Sequence, residues 1–227
     1  AGGQGACVRI LNRAGSKIIG LCTHFPSNLP ADLAASIARF QDDVEWIFAH
    51  SALRRRDVLV HAGSTLTLMS GQDPKTQMLR CGAILYGIAG PRPDFKSAFT
   101  LKSQVISIGL YPKGCTVGYD RSPPLDADRK LASIAVGYAN GYDRQLSGGA
   151  AVLIRGQRVP VLGKVSMNTI VADVTDVPLA AIGDEVVAFG AQGGQVINSA
   201  EIEQGTGTIM ADLYTDWGLR CARVAVP

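Results

Sequence analysis

The fold and the chemistry of this chain are best approached from the stretch Val136-Gly137-Tyr138-Ala139-Asn140-Gly141-Tyr142, followed by Gly163-Lys164-Val165-Ser166-Met167-Asn168. Glycines beside short β-branched runs predict turns at the ends of strands. The phenol of Tyr138, which stands between two such glycines, is a candidate proton-transfer group. A tyrosine in this position is more often a packing residue with a hydrogen-bonded hydroxyl, and the spacing alone leaves both roles open.

The region around this stretch is rich in short apolar segments broken by Gly, Pro, Asp and Asn, a pattern typical of β-strands. The predicted strands cover residues 105–110, 131–136, 151–154, 159–162, 169–174 and 185–189. Arg155-Gly156-Gln157 predicts a tight hairpin connection, and Asn198 with Glu201 resembles a capping box that opens a short helix. Residues 96–227 are therefore predicted to form a β-rich C-terminal domain.

The first part of the chain has a different pattern, in which short apolar runs alternate with helical periodicity. A buried strand at Lys17–Cys22 is followed by a helix after Pro30, in which apolar residues recur at three- and four-residue spacings. Two further short apolar runs, Val58–His61 and Ala83–Tyr86, complete an alternation typical of βαβ units. The helical periodicity stops after Pro91-Arg92-Pro93, so residues 1–95 are predicted to form a separate α/β domain.

Composition excludes several classes of protein. The 227 residues carry a net charge of +3 from 22 basic and 19 acidic residues, and no apolar run reaches the length of a membrane span. The basic run Arg54-Arg55-Arg56 has no interleaved aromatic residues and favours a solvated helix end over a nucleic-acid site. The five cysteines form no C-x-x-C pair, so we expect no metal site.

Polar residues follow the predicted strands of the first domain. His24, His61 and Arg80 stand at strand ends, where α/β barrels carry their active sites. Each of them is also compatible with a structural role. The segment from His61 to Thr65 adds a glycine and hydroxyls at a strand-to-helix turn, where free backbone donors can hold a phosphate.

The chain resembles the alanine racemase family of pyridoxal-phosphate enzymes, and most closely its broad-specificity amino-acid racemase branch. The resemblance follows the family's order over nearly the whole chain. It rests on residues 23–25, 61–65, 79–87, 112–114, 117–119, 137–142, 159–168 and 211–214. It implies the C-terminal part of an α/β (TIM-like) barrel followed by a β-rich domain.

The resemblance also implies roles for single residues in a two-base racemisation. Tyr138 matches the catalytic tyrosine that exchanges the substrate's α-proton on one face. His24 matches the histidine that contacts this tyrosine and links it to the arginine at the cofactor ring. Arg80 matches the arginine that hydrogen-bonds the pyridine nitrogen of pyridoxal 5'-phosphate. Since a guanidinium stays protonated, it keeps that nitrogen unprotonated and weakens the electron sink.

The phosphate and substrate contacts are implied in the same way. The residues matching the phosphate site are Ser64, Thr65, Gly82, Ala83 and Tyr214, with Ser64 in place of the family's usual asparagine. Met167 matches the residue whose backbone meets the substrate carboxylate. In the family this loop and the tyrosine come from the second subunit, so the resemblance implies a homodimer with a shared active site.

The family's cofactor-binding lysine stands in a K-x-D-A-Y-G-H-G motif that this chain does not contain. We therefore expect the 227-residue chain to need an N-terminal barrel segment and to be inactive alone. The alternative is a non-catalytic phosphate-binding or dimerisation module derived from the same fold. The sequence leaves open which amino acid is the substrate. The resemblance favours a periplasmic location for a broad-specificity racemase and a cytoplasmic one for a plain alanine racemase.

Overall fold

The computed structural model describes residues 2–88, 95–120 and 122–226. The chain divides into two units, Ala1–Leu85 and Tyr86–Pro227. This division falls earlier in the chain than the boundary predicted at residue 95. The segment Pro91-Arg92-Pro93, after which the helical periodicity of the sequence stops, lies outside the described residues. No helix among the described residues is long and apolar enough to cross a bilayer.

The first unit alternates helices with two short strands. In chain order they are α1 (Gly2–Ala14), β1 (Gly20–Cys22), α2 (Pro30–Ala49), β2 (Leu59–His61) and α3 (Thr65–Met69). The strands pair in parallel, with Cys22 opposite His61 at their carboxyl ends. Pro30 occupies the first turn of α2, where its missing N–H has no helical partner to lose. The predicted parallel pairing and helix are thus confirmed, but the prediction of a buried strand at Lys17–Cys22 is wrong. β1 begins only at Gly20, none of its residues is buried, and Ile19 before it is 78% exposed.

The core of this unit lies between α2 and the strands. Leu33, Phe40 and Val44 are buried on one face of the helix, as their spacing predicts. They pack with Phe25 and Val60 in a single cluster of apolar side chains. This cluster fixes the position of the strand ends, after which the polar residues of the predicted site begin.

The prediction of a third strand at Ala83–Tyr86 is wrong, because these residues form a 3-10 helix. The N–H of Leu85 donates to the carbonyl of Gly82, which closes a turn in place of a ladder. The side chain of Leu85 is exposed, so it contributes nothing to a core. A four-residue apolar run cannot by itself distinguish a strand from a helical turn.

The second unit is built on seven antiparallel strands. They are β3 (Leu101–Tyr111), β4 (Arg129–Ile134), β5 (Ala151–Ile154), β6 (Gln157–Leu162), β7 (Ile170–Asp173), β8 (Glu185–Gln192) and β9 (Gln195–Ile197). Their order is β3-β4-β7-β6-β5-β8-β9, and β3 also pairs with β8, so six strands form a closed ring. A bulge after Val105 lets β3 pair with β4 on one side and β8 on the other. The six predicted strands are confirmed, whereas β9 was not predicted.

Two helices follow the strands, α4 (Ser199–Thr206) and α5 (Met210–Arg220). The Asn198 side chain accepts a hydrogen bond from the N–H of Glu201, which confirms the predicted cap of α4. The hairpin at Arg155-Gly156 is also confirmed, with both residues at positive φ. Met210, Leu213 and Trp217 of α5 are buried in the core of the strands.

Candidate functional site

At the strand ends of the first unit, Arg80 is held by the backbone and by a histidine. One guanidinium nitrogen lies 2.8 Å from Nδ1 of His61, and another donates to the carbonyl of Thr23 at 2.8 Å. Arginine can only donate, so Nδ1 of His61 accepts and the imidazole is neutral in this contact. His61 was one of three strand-end candidates in the sequence, but the resemblance assigned the contact to His24.

Arg80 has no carboxylate partner among the described residues of the first unit, although its side chain is half-buried. His24 is exposed and makes no hydrogen bond to Arg80 in the same part of the structure. A guanidinium that is fixed by neutral partners keeps donors for a neutral acceptor, such as an unprotonated ring nitrogen.

A group of hydrogen-bond donors lies at the start of α3. Thr65 is buried, with 2% of its surface exposed, and its hydroxyl accepts from the N–H of Ile84 at 3.3 Å. The N–H groups of Gly82 and Ala83 have no partner among the described residues. Ser64, the residue before α3, is held by a hydrogen bond from its N–H to the hydroxyl of Thr67. Free N–H groups next to a hydroxyl suit an anion, and this fits the phosphate role predicted for these residues.

In the second unit, the loop at Ser166-Met167 supports the turn that carries Tyr138. The N–H of Tyr138 donates to the carbonyl of Ser166 at 3.1 Å, and that of Ala139 to the carbonyl of Met167 at 2.9 Å. A side chain at Gly137 would collide with these same carbonyls, which explains the glycine. The structure therefore brings Tyr138 and Met167 together, as the resemblance implies.

Both residues present groups that could meet a substrate. The phenol of Tyr138 is 39% exposed and makes no hydrogen bond to a described residue. The N–H of Met167 also has no partner among the described residues, whereas its carbonyl is used to hold the turn. A free backbone N–H is the part of Met167 that could bind a carboxylate.

A second exposed tyrosine, Tyr119, follows a glycine that lies close to the segment before this loop, and it was not assigned a role from the sequence. Its neighbour Gly118 lies so close to the backbone of Lys164 that an added Cβ would be 3.2 Å from that nitrogen. Asp120 adopts φ 58°, the left-handed conformation that Asp tolerates better than most residues, and this makes the backbone turn directly after Tyr119. Tyr119 is 61% exposed, and residues 117–119 belong to the stretches on which the family resemblance rests.

Tyr214, the residue predicted to contact the phosphate near the C-terminus, is buried. Its hydroxyl is 2.5 Å from Oγ of Ser97, and its ring packs 4.4 Å from that of Phe99, centroid to centroid. Burial raises the pKa of this phenol, so it stays neutral and can serve as a donor. The predicted phosphate contact remains a prediction.

The predicted site residues thus fall into two sets. Those of the first unit are His24, Ser64, Thr65, Arg80, Gly82 and Ala83, and those of the second are Tyr138, Met167 and Tyr214. Within each set, hydrogen bonds connect only part of the residues: Ser166-Met167 holds the Tyr138 turn, and Thr65 receives the N–H of Ile84 beside Ala83.

Comparison with known proteins relates this geometry to one family. Residues 4–90 match the family model "Alanine racemase, N-terminal domain", and residues 98–225 match "Alanine racemase, C-terminal domain". A broad-specificity amino-acid racemase of Pseudomonas putida is 41% identical over 217 residues, which cover 95% of this chain and 53% of that protein. A lysine racemase of Proteus mirabilis is 39% identical, over 96% of this chain and 54% of the relative.

Solved structures show the same fold at lower identity. The alanine racemase of Streptomyces coelicolor superposes with a TM-score of 0.85 at 24% identity, over 97% of this chain and 60% of that one. The Bartonella henselae alanine racemase, with covalently bound pyridoxal phosphate, gives a TM-score of 0.81 at 24% identity, over 96% and 61% of the two chains. The chain spans about half the length of the curated relatives it matches. Since the C-terminal family model alone covers more than half of its residues, the chain belongs to the alanine racemase family.

Proposed function

We propose that this chain forms part of a pyridoxal-phosphate-dependent amino-acid racemase. The observation that carries the proposal is the Arg80 guanidinium, which is fixed by neutral His61 and has no carboxylate partner among the described residues. Most cofactor-nitrogen partners that stabilise a full carbanion are acidic, whereas an arginine holds the nitrogen unprotonated. The names of the most similar relatives, broad-specificity and lysine racemases, support the same activity.

The residues of the first unit would hold the cofactor. When bound, pyridoxal phosphate acidifies the α-carbon of an amino acid by accepting electron density from it. Arg80 donates to the ring nitrogen, and His61 fixes the guanidinium through Nδ1. The Thr65 hydroxyl and the N–H groups of Gly82 and Ala83 bind the phosphate, with Ser64 at the start of α3 shaping the turn.

The residues of the second unit would handle the substrate. Racemisation requires a base on each face of the α-carbon, and Tyr138 serves as the base on one face. The family resemblance assigns His24 to contact this phenol from the other subunit, and the free N–H of Met167 would bind the substrate carboxylate. A cofactor-bearing lysine outside this chain supplies the second face, and a homodimer completes the active site across subunits.

Tyr119 is the competing candidate for the same proton transfer. Tyr119 is more exposed than Tyr138, and its neighbour Gly118 lies close to the backbone of Lys164, three residues before Met167. Separate substitutions of the two phenols distinguish them, as described below.

The test compares two proteins: the product of the whole gene, and the 227-residue chain alone, each with added pyridoxal phosphate. We expect the whole product to abolish the optical rotation of L-lysine and L-alanine, and borohydride to trap a lysine adduct in it. We expect the chain alone to show neither. No racemisation by the whole product would contradict the proposal and favour the non-catalytic phosphate-binding or dimerisation module. A trapped lysine adduct in the chain alone would contradict the assignment of that lysine to residues outside it.

A further inference from the structure

The turn that carries Tyr138 is held on its carbonyl side by the end of α5. Trp217 Nε1 donates to the carbonyl of Gly141 at 2.9 Å, and this bond is buried. The thiol of Cys221 donates to the carbonyl of Asn140 at 3.2 Å. The guanidinium of Arg220 donates to the carbonyl of Tyr138 at 3.3 Å.

Three side chains within five positions of one helix end thus bind three carbonyls of a four-residue turn. On the opposite side, the carbonyls of Ser166 and Met167 accept the N–H groups of Tyr138 and Ala139. The turn is therefore fixed between a loop and a helix, with both kinds of backbone group paired. Of the three bonds to carbonyls, that of Trp217 is buried, that of Cys221 is half-buried and that of Arg220 is exposed. A buried carbonyl that loses its donor is costly, so the Trp217 bond above all favours one conformation of the turn.

Trp217 makes the closest of these contacts. Gly141 adopts φ 82°, and a Cβ at this position would be 2.7 Å from Cδ1 of Trp217. The indole is thus in van der Waals contact with the turn as well as bonded to it. Arg220 is in turn fixed by its ion pair with Asp216 at 2.5 Å.

The same helix carries Tyr214, one turn before Trp217. The rings of Tyr214 and Trp217 are 5.9 Å apart, centroid to centroid, and both pack on Phe189. A displacement of the Trp217 ring would therefore act on two predicted site residues, Tyr138 and Tyr214. This packing gives the helix a role in the site beyond its burial in the core.

We propose that Trp217, assisted by Cys221 and Arg220, is a positioning residue that aims the Tyr138 phenol at the substrate α-carbon. The inference rests on the proposed racemase function. Trp217 touches no reacting atom, and it acts through the carbonyl of Gly141. Loss of the indole N–H leaves the fold of the sheet intact but loosens the turn.

The test is Trp217→Phe in the product of the whole gene, with Trp46→Phe as the matched control. These are the only two tryptophans of the chain, and Trp46 lies on α2 of the first unit, stacked on His50. Phenylalanine keeps an aromatic ring in the core and removes only the donor. We expect kcat to fall about tenfold with little change in KM, since a small misplacement of a reacting group costs about this much or more. Trp46→Phe leaves kcat unchanged.

Isotope effects separate positioning from a general loss of structure. With α-deuterated substrate, the isotope effect on kcat/KM should rise in the direction in which Tyr138 removes the deuterium. It should fall in the opposite direction, because there Tyr138 only returns a proton. An unchanged isotope effect in both directions, or an equal change in both, would overturn the inference.

Hydrogen exchange provides a measurement that needs no activity. We expect the amides of residues 138–142 to exchange about fivefold faster in Trp217→Phe, because a net hydrogen bond is worth about 1 kcal/mol in protection. Cys221→Ala should have a smaller effect that Cys221→Ser restores, which keeps the test available if Trp217→Phe fails to fold. Unchanged exchange in these variants would refute the inference. An inactive wild-type protein with the expected exchange would instead refute the proposed function alone.

Discussion

Nδ1 of His61 accepts a hydrogen bond from the guanidinium of Arg80 at 2.8 Å, across the ends of β2 and the segment that follows α3. This contact replaces the His24 contact that the resemblance implies, and it fixes the orientation of a cation that has no carboxylate partner among the described residues.

His61→Phe should weaken the binding of pyridoxal phosphate about tenfold, because a hydrogen bond to a charged group contributes about 1.5 kcal/mol or more. Phenylalanine keeps an aromatic ring but removes the Nδ1 acceptor, so the guanidinium of Arg80 is no longer held in its orientation. The measurement is a titration of the whole gene product followed by cofactor absorbance. His50→Phe is the control, since His50 is exposed and stacks on Trp46 away from Arg80. Equal affinities in both variants would contradict the role of His61.

Thr65→Val should weaken the binding of phosphate-bearing ligands, whereas Thr65→Ser should not. Valine preserves the buried volume but removes the hydroxyl that receives the N–H of Ile84. We expect about a tenfold loss of affinity for pyridoxal phosphate and no loss for pyridoxal without its phosphate. A similar loss for both ligands would place Thr65 outside the phosphate site.

Tyr138→Phe should lower kcat for racemisation by at least about a hundredfold if its phenol transfers the proton. Tyr119→Phe tests the competing assignment with the same change, and the two variants serve as each other's control. Thermal unfolding should be little changed in either, since both phenols make no hydrogen bond to a described residue. A large loss of kcat in Tyr119→Phe, with none in Tyr138→Phe, would show that Tyr119 and not Tyr138 transfers the proton.

We expect the wild-type protein to lose stability at alkaline pH because of Tyr142, and Tyr142→Phe to abolish this loss. Tyr142 is 1% exposed, and its hydroxyl has no partner among the described residues. Burial, and secondarily the charge of Glu201, raises the pKa of this phenol in the folded state. Above the unfolded-state pKa of about 10, the phenol ionises in the unfolded chain but not in the folded protein. The free energy of unfolding is therefore constant in this respect below about pH 10 and falls above it, by about 1.4 kcal/mol per pH unit.

The measurement for Tyr142 is urea unfolding between pH 8 and 11, with exposed Tyr111→Phe as the control. At pH 8 we expect Tyr142→Phe to be neutral or to raise the free energy of unfolding, because it removes an unpaired buried hydroxyl. Parallel pH profiles in wild type and Tyr142→Phe would contradict the raised pKa of the Tyr142 phenol in the folded state.

Gly137→Ala should destabilise the second unit by about 1–3 kcal/mol. The added Cβ would collide with the carbonyls of Ser166 and Met167, which are themselves bonded to the turn and cannot move freely. Gly149→Ala is the control, because a Cβ there meets nothing within 4 Å and φ is not positive. Chemical denaturation measures both variants, and equal midpoints would contradict the close approach.

Local pattern in the sequence was enough to locate most of the elements. The spacing of Leu33, Phe40 and Val44 predicts α2, since the same residues face the core at helical period. Alternating apolar segments predict six of the seven antiparallel strands, and positive φ at Arg155 and Gly156 matches the predicted hairpin. The prediction of a strand at Ala83–Tyr86 was wrong because a run of four apolar residues is too short to show either a strand or a helical periodicity.

The contacts between residues of the candidate site could be identified only from the tertiary structure. The sequence by itself determined which residue types are present, the two-part organisation and the family, because these depend on local spacing and on order along the chain. Only the fold decided that His61, and not His24, accepts from Arg80, and that Trp217 bonds to Gly141 over 76 positions. Such contacts join residues distant in sequence, and no local pattern encodes which donor finds which acceptor.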